Sequence, residues 1–106
     1  MEESVFNALA DIELDRIEAA LEACGADLDI EPKPGGVLEI EFENGSKVII
    51  NRHTAAREIW VAAKTGGFHF RPEGDRWVSA RDGAELYSTL AEVVGLQSGV
   101  PVSFPG

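Results

Sequence analysis

The sequence predicts an α+β fold: a two-layer α-β sandwich with an antiparallel meander sheet of five to six strands and N- and C-terminal helices on one face. Three observations predict it. Apolar residues recur at helical spacing only near the two ends. Between them lie short runs that alternate apolar and polar, as half-buried strands do. The turns joining those runs are short, and consecutive strands with short turns pair antiparallel.

Ser4 to about Cys24 reads as the first helix, with Phe6, Leu9, Ala10, Ile17, Ala20, Leu21 and Cys24 on one face and Gly25 as its stop. Cys24 on that face is a small buried hydrophobe. Glu13 points toward the same side, against the pattern. Asp27 to Glu31 alternates strictly, and Pro32 and Pro34 are expected to end its pairing. Val37 to Arg52 reads as a hairpin around Asn44-Gly45. A two-residue turn pairs Ile40 with Ile49 and leaves Val48 and Ile50 on the outer face; a longer turn changes that register. Glu58 to Ala63 is a strand with Ile59, Val61 and Ala63 inward and Trp60 outward. Gly66-Gly67 turns the chain into short strands at Phe68 to Phe70 and Arg76 to Ser79, with Trp77 as a structural residue. Asp82 to Glu85 fits a helix N-cap, Leu86, Leu90, Val93 and Val94 form a buried stripe, and Gly95 is the stop. The tail from Gln97 to Gly106 is expected to lie extended over the core.

All 106 residues are expected to form one domain, large enough to fold without disulfide or metal. A single cysteine excludes an internal disulfide and fits a reducing compartment. The acidic start has no apolar stretch resembling a secretory signal, so a soluble cytoplasmic protein is expected. A net charge of −10 argues against nucleic acid and anionic membrane surfaces, and favours cations or a basic partner protein.

That charge is not evenly spread. Residues 1–43 hold 13 of the 19 acidic residues and two of the nine basic ones. Asp11, Asp15, Glu18 and Glu22 step by four, three and four, so they stay within about 60° of one another on a helix. Like charges at these spacings cost about 0.2–0.5 kcal/mol per pair. No Lys or Arg is interleaved on that face of the helix. One explanation is a solvated face that keeps the protein soluble. The other is a ridge relieved by a cation or a basic surface. Exposed carboxylates with no enclosing loop hold hard cations weakly and hydrated.

Other chemistry finds little support. No nucleophile elbow, Walker loop or dinucleotide fingerprint is present. His53 and His69 have no second histidine or cysteine at ligand spacing, so structural zinc is not expected. Trp60, outward on the helix-free face, is a candidate binding patch or a residue packed on the loop Thr54 to Arg57.

The run GGVLEIEFENGSKVIINR (35–52), then IWVA (59–62), GGFHF (66–70), WV (77–78) and DGAEL (82–86), resembles the frataxin family, its bacterial members above all. The resemblance runs from Phe6 to Phe104. It implies the sandwich just described and weak binding of ferrous and ferric iron on a surface ridge, where other divalent cations or lanthanides can substitute. It also implies a role in iron–sulfur cluster assembly, as regulator or iron donor, through a cysteine desulfurase and its scaffold protein. By position, the metal ridge is Asp11, Glu18, Glu22, Asp27, Asp29 and Glu31, with Glu3 and Asp15 beside it. The partner-facing residues are Glu18, Glu22, Asn51 and Trp60. Ala19, Ala23 and Gly25 stand where the bacterial pattern carries acids, which thins the ridge at the helix end. A monomer, with oligomers on iron binding, and no catalytic residue is expected. The alternatives are an electrostatic adaptor of the desulfurase with incidental metal binding, or a weak ferroxidase or storage protein.

Overall fold

A computed structural model describes residues 1–104. The chain runs α1 (Glu3–Glu22), β1 (Leu28–Lys33), β2 (Val37–Phe42), β3 (Lys47–His53), β4 (Glu58–Ala63), β5 (Gly66–Glu73), β6 (Arg76–Val78) and α2 (Leu86–Ser98). The six strands form an antiparallel meander in sequence order. Alternate strand residues, among them Leu38, Ile40, Val48, Ile50, Ile59, Val61 and Phe70, pack with Phe6, Leu14, Ile17 and Leu21 of α1 and Leu86, Leu90 and Val93 of α2 in one core. Both helices therefore cover one face of the sheet, and the other face is bare. No helix among the described residues is long and apolar enough to cross a membrane.

The hairpin at Asn44-Gly45 is longer by one residue than a two-residue turn. Phe42 and Ser46 close it, with the Ser46 carbonyl accepting from the Phe42 N–H at 2.9 Å and Gly45 at φ 85°. Ile40 consequently pairs with Val48 and Glu39 with Ile49. Val48 and Ile50 are fully buried, and Ile49 and Asn51 take the bare face. The core decides this register. Burying two such side chains contributes roughly 3–6 kcal/mol, which a one-residue slip would forfeit.

Other expectations are corrected by packing. Pairing continues through Pro32 to Lys33, because β1 is an edge strand and needs no donor on its outer side. The β4–β5 turn is Lys64-Thr65, and Gly66 and Gly67 already pair with Ala63 and Ala62. Asp82 caps nothing: its carboxylate accepts from the Ala84 N–H at 3.0 Å in a local turn, and α2 starts at Leu86 with Glu85 as N-cap. Gly95 lies inside α2, which ends at Gly99 in a left-handed conformation. Gln97 and Ser98 are thus helical, and Gln97 is buried. Its amide bonds the Lys64 N–H, the Lys47 carbonyl and the Ser46 hydroxyl, tying two hairpin ends to the helix. Beyond it Val102 and Phe104 pack on the core as expected, while Pro105 and Gly106 lie outside the described residues.

On α1, Leu9 is exposed and Leu14 takes its expected place in the core. Cys24 lies past the helix end and is half-exposed, so it is not a core residue. Glu13 is buried, and one of its oxygens accepts a hydrogen bond from the Tyr87 hydroxyl of α2. Trp77 is buried, edge-on to Phe6 at 6.0 Å.

Candidate functional site

Two surfaces carry the functional residues: the solvent side of α1 with the neighbouring β1 edge, and the bare face of the sheet.

On α1, Asp11, Asp15 and Glu22 are exposed and Glu18 is half-buried. The expectation that no basic group offsets them fails at Asp11. Arg52 comes from β3 over the edge of the core and meets the Asp11 carboxylate at 2.5 Å. Gly36 makes room for it, since a Cβ there would lie 3.0–3.1 Å from the Arg52 side chain. Asp15, Glu18 and Glu22 have no ion-pair partner among the described residues, and neither do Glu3, Asp27 and Asp29. Two like-charge neighbours, Asp15–Glu18 and Glu18–Glu22, remain uncompensated at about 0.4–1 kcal/mol together.

The negative stripe does not pass unbroken from helix to strand. Asp29 and Glu31 pair across the sheet with Glu41 and Glu39, on the bare face, while α1 packs on the opposite face. Asp27, one residue ahead of β1, lines a groove of about 600 Å³ with Glu43 and the end of α2. Among the described residues no three His, Cys, Asp or Glu side chains come close enough to share a metal ion. The eight residues assigned to the ridge are therefore spread over two layers.

Part of this acidity is neutralised within the sheet. Lys33 and Lys47 flank Glu39 at 2.8 and 2.7 Å, and Lys33 also lies 3.8 Å from Glu31. The hydrogen bonds from Lys33 and then Lys47 hold the Glu39 carboxyl down to about 2, and the same bonds raise both lysines.

Further along the bare face, register brings Asn51, Trp60 and His69 into one row. The two histidines, isolated in sequence, meet at Trp60. His53 stacks on one side of the indole at 3.7 Å and 11°, and His69 on the other at 4.2 Å and 10°. The indole N–H donates to Glu58 at 2.8 Å, and the His53 Nδ1 accepts from the Ala56 N–H at 3.3 Å. Trp60 is thus a half-buried ring clasped on both faces, not a residue laid on the loop Thr54 to Arg57. Only pairing register could have revealed this cluster: Trp60 and His69 are cross-strand partners, and the unrecognised Lys64-Thr65 turn concealed it.

Set beside known proteins, the chain matches a family model described as a frataxin-like domain over residues 1–100. The "Iron-sulfur cluster assembly protein CyaY" of Dechloromonas aromatica is 60% identical over 99 residues, covering 93% of this chain and 94% of that one. Its namesake in Cupriavidus taiwanensis is 55% identical over 107 residues, 98% and 96% of the two chains. Among solved structures, a frataxin from Psychromonas ingrahamii superposes with a TM-score of 0.90 at 34% identity over the whole of both chains. A trimeric frataxin from Saccharomyces cerevisiae in a ferrous complex gives 0.65 at 29% identity, covering 93% and 88%.

Proposed function

The chain belongs to the frataxin family, and from that premise we propose that its part in iron–sulfur cluster assembly is that of a non-catalytic iron-binding regulator or iron donor. The carboxylates Asp15, Glu18 and Glu22, with Asp11 and Glu3 on the same helix, hold ferrous or ferric iron loosely and dock on a basic surface of the cysteine desulfurase, and Asp27 together with Asp29 and Glu31 of the edge strand β1 extends the acidic surface past the helix. Asn51 and Trp60 meet the scaffold protein.

The observation that carries this reading is the selective lack of ion pairs on α1. Arg16, Lys33, Lys47 and Arg52 are each placed on one acid or another, yet Asp15, Glu18 and Glu22 are left without one. Repulsion retained on a helix face destabilises the free protein and is relieved on binding a cation or an arginine-bearing surface. Oxygen ligands spread along a surface suit weak, hydrated binding of a hard cation, as in a carrier or sensor, and not the enclosed paired site that oxidation chemistry would need.

The test replaces Asp15, Glu18 and Glu22 with Asn or Gln and measures ferrous iron affinity, desulfurase affinity and Tm on the same protein. We expect Tm to rise slightly while both affinities fall. Unchanged desulfurase affinity would remove α1 from docking. Lost docking with unchanged iron affinity would make the protein an electrostatic adaptor. Oxygen uptake above the buffer rate on adding ferrous iron would overturn the non-catalytic reading.

A further inference from the structure

A cleft of about 670 Å³ is lined by α1, the β5–β6 turn, β6, the start of α2 and the tail, and we propose that it binds a small primary amine with an apolar body. On α1, Glu13, Arg16, Ala20 and Ala23 follow one another at steps of three, four and three, which keeps them on one stripe of the helix. Ala20 and Ala23 are too short to fill that stripe, and so leave the room. Trp77 of β6 and Tyr87 of α2 supply aromatic wall. Pockets of roughly 300–1,000 Å³ are the usual size for a small ligand.

Glu13 carries the inference. Its side chain is 7% exposed, and a carboxylate so buried is ordinarily paired and fully hydrogen-bonded. Here it accepts one hydrogen bond, at Oε2, from the neutral Tyr87 hydroxyl. Oε1 accepts none among the described residues, because the Arg16 guanidinium stops 3.6 Å away. Nor is Oε1 sealed from solvent: among the described residues the one enclosed side-chain polar atom without a partner is the Arg52 Nε. Glu13 lines the cleft, so its free oxygen opens there.

Charge selects an ammonium over a carboxylate. Asp75 and Arg76, chain neighbours at the cleft, offset one another. Glu13 and Glu85 face Arg16 alone, and all three stand close enough to act on the Tyr87 hydroxyl. The cleft thus sets three carboxylates against two guanidiniums, in a chain of net charge −10. An ammonium that reaches Oε1 makes a charge-assisted hydrogen bond, and the aromatic wall adds cation–π attraction. Arg16 yields the place: it is mostly exposed and makes no hydrogen bond among the described residues, so it turns out to solvent. The site is separate from the acidic ridge, since Glu13 and Glu18, five residues apart, lie about 140° apart around α1.

Phenethylamine tests this, titrated into the full chain at neutral pH and followed by amide NMR and calorimetry. Saturable shifts are expected around Ala20, Ala23 and Tyr87. Phenethyl alcohol, the same body without the charge, is expected to bind at least tenfold more weakly. Glu13→Gln keeps an oxygen for the Tyr87 hydroxyl and removes the charge, and should weaken the amine at least tenfold. Ala20→Leu fills the cleft from a half-buried position on α1 and should abolish the shifts with Tm unchanged. Absence of saturable shifts in the wild-type protein overturns the site, and so does alcohol binding as tight as that of the amine. Shifts confined to Asp15, Glu18 and Glu22 put the ammonium on the ridge and overturn it as well. Wild-type amine affinity in a folded Glu13→Gln protein removes the anchor and the proposal with it.

Discussion

Tyr87→Phe removes one hydroxyl and exposes how the two helices are joined. That hydroxyl donates to Glu13, whose side chain is 7% exposed. The other neighbour of the carboxylate is Arg16, 3.6 Å away and 67% exposed, too far for a hydrogen bond. Phenylalanine at 87 keeps the ring and strands a buried carboxylate. A hydrogen bond to a charged group contributes about 1.5–3 kcal/mol. Tyr87 is only half-buried, so water recovers some of the loss, and about 1.5–2 kcal/mol is expected. In a domain of this size that is a fall in Tm of roughly 6–16 °C. Glu13→Leu should cost less, because it leaves behind a hydroxyl that can reach water and not a buried charge. The double variant should recover most of the loss, since two apolar groups replace a polar pair. Urea unfolding of the four proteins gives the coupling directly. A Tyr87→Phe cost under about 0.5 kcal/mol, or Glu13→Leu proving the worse single change, refutes the reasoning. The pair has a pH signature too. Burial first, and the bond to Glu13 second, push the Tyr87 hydroxyl above its ordinary 10.0. A raised pKa favours the protonated native state, so its stabilisation is whole below that value and is lost as pH climbs above it. The phenolate absorbance of the native protein should therefore appear later than that of the unfolded chain.

Two further expectations concern the sheet. Glu39, at about 2 against an ordinary 4.5, stabilises the native state above 4.5, and that contribution disappears as pH falls from there through 2. Carboxyl NMR should find it the last of the sheet acids to protonate, and Lys33→Gln with Lys47→Gln should return it toward 4.5. Gly36→Ala meets a left-handed backbone at φ 77° and the Arg52 side chain at 3.0 Å, whereas Gly35→Ala meets only the backbone, at φ 86° in open space. The backbone costs about 1–2 kcal/mol in each. Gly36→Ala should exceed Gly35→Ala in urea unfolding, and equal losses would mean that Arg52 does not need the missing Cβ.

Alternation and helical spacing made the meander, both helices and the core face of β4 legible. What they could not supply was whatever depends on counting residues in a turn. Asn44-Gly45 announced a hairpin but not its length, and one residue moved Val48 and Ile50 from the bare face to the core. Gly66-Gly67 looked like the turn because glycine serves turns so often, yet here it makes open strand. Asp82 matched a cap by composition, but its side chain found a nearer N–H. The functional residues divide the same way. The α1 carboxylates were legible because they are periodic in one element. Arg52 on Asp11, the two histidines on Trp60 and Tyr87 under Glu13 were not, because each joins residues 7 to 74 positions apart.

The two candidate docking surfaces lie on opposite layers of the sandwich and differ in the physics available to them. The α1 face offers unpaired charge on exposed or half-exposed side chains, which acts through solvent over a Debye length of about 10 Å at 0.1 M salt and about 3 Å at 1 M. The Trp60 face offers stacked rings, Ile49, Ala62 and Gly67, with its nearby acids already held, and works only in contact. Salt should therefore separate them. Between 50 mM and 500 mM sodium chloride, desulfurase association is expected to weaken several-fold, mainly through a slower on-rate, because long-range attraction governs encounter more than residence. Scaffold association over the same range should change less than twofold. Equal salt dependence of both would mean that the ion pairs at Glu39 and the bond at Glu58 do not isolate the sheet face from the charge around it, and that the two surfaces act as one acidic body.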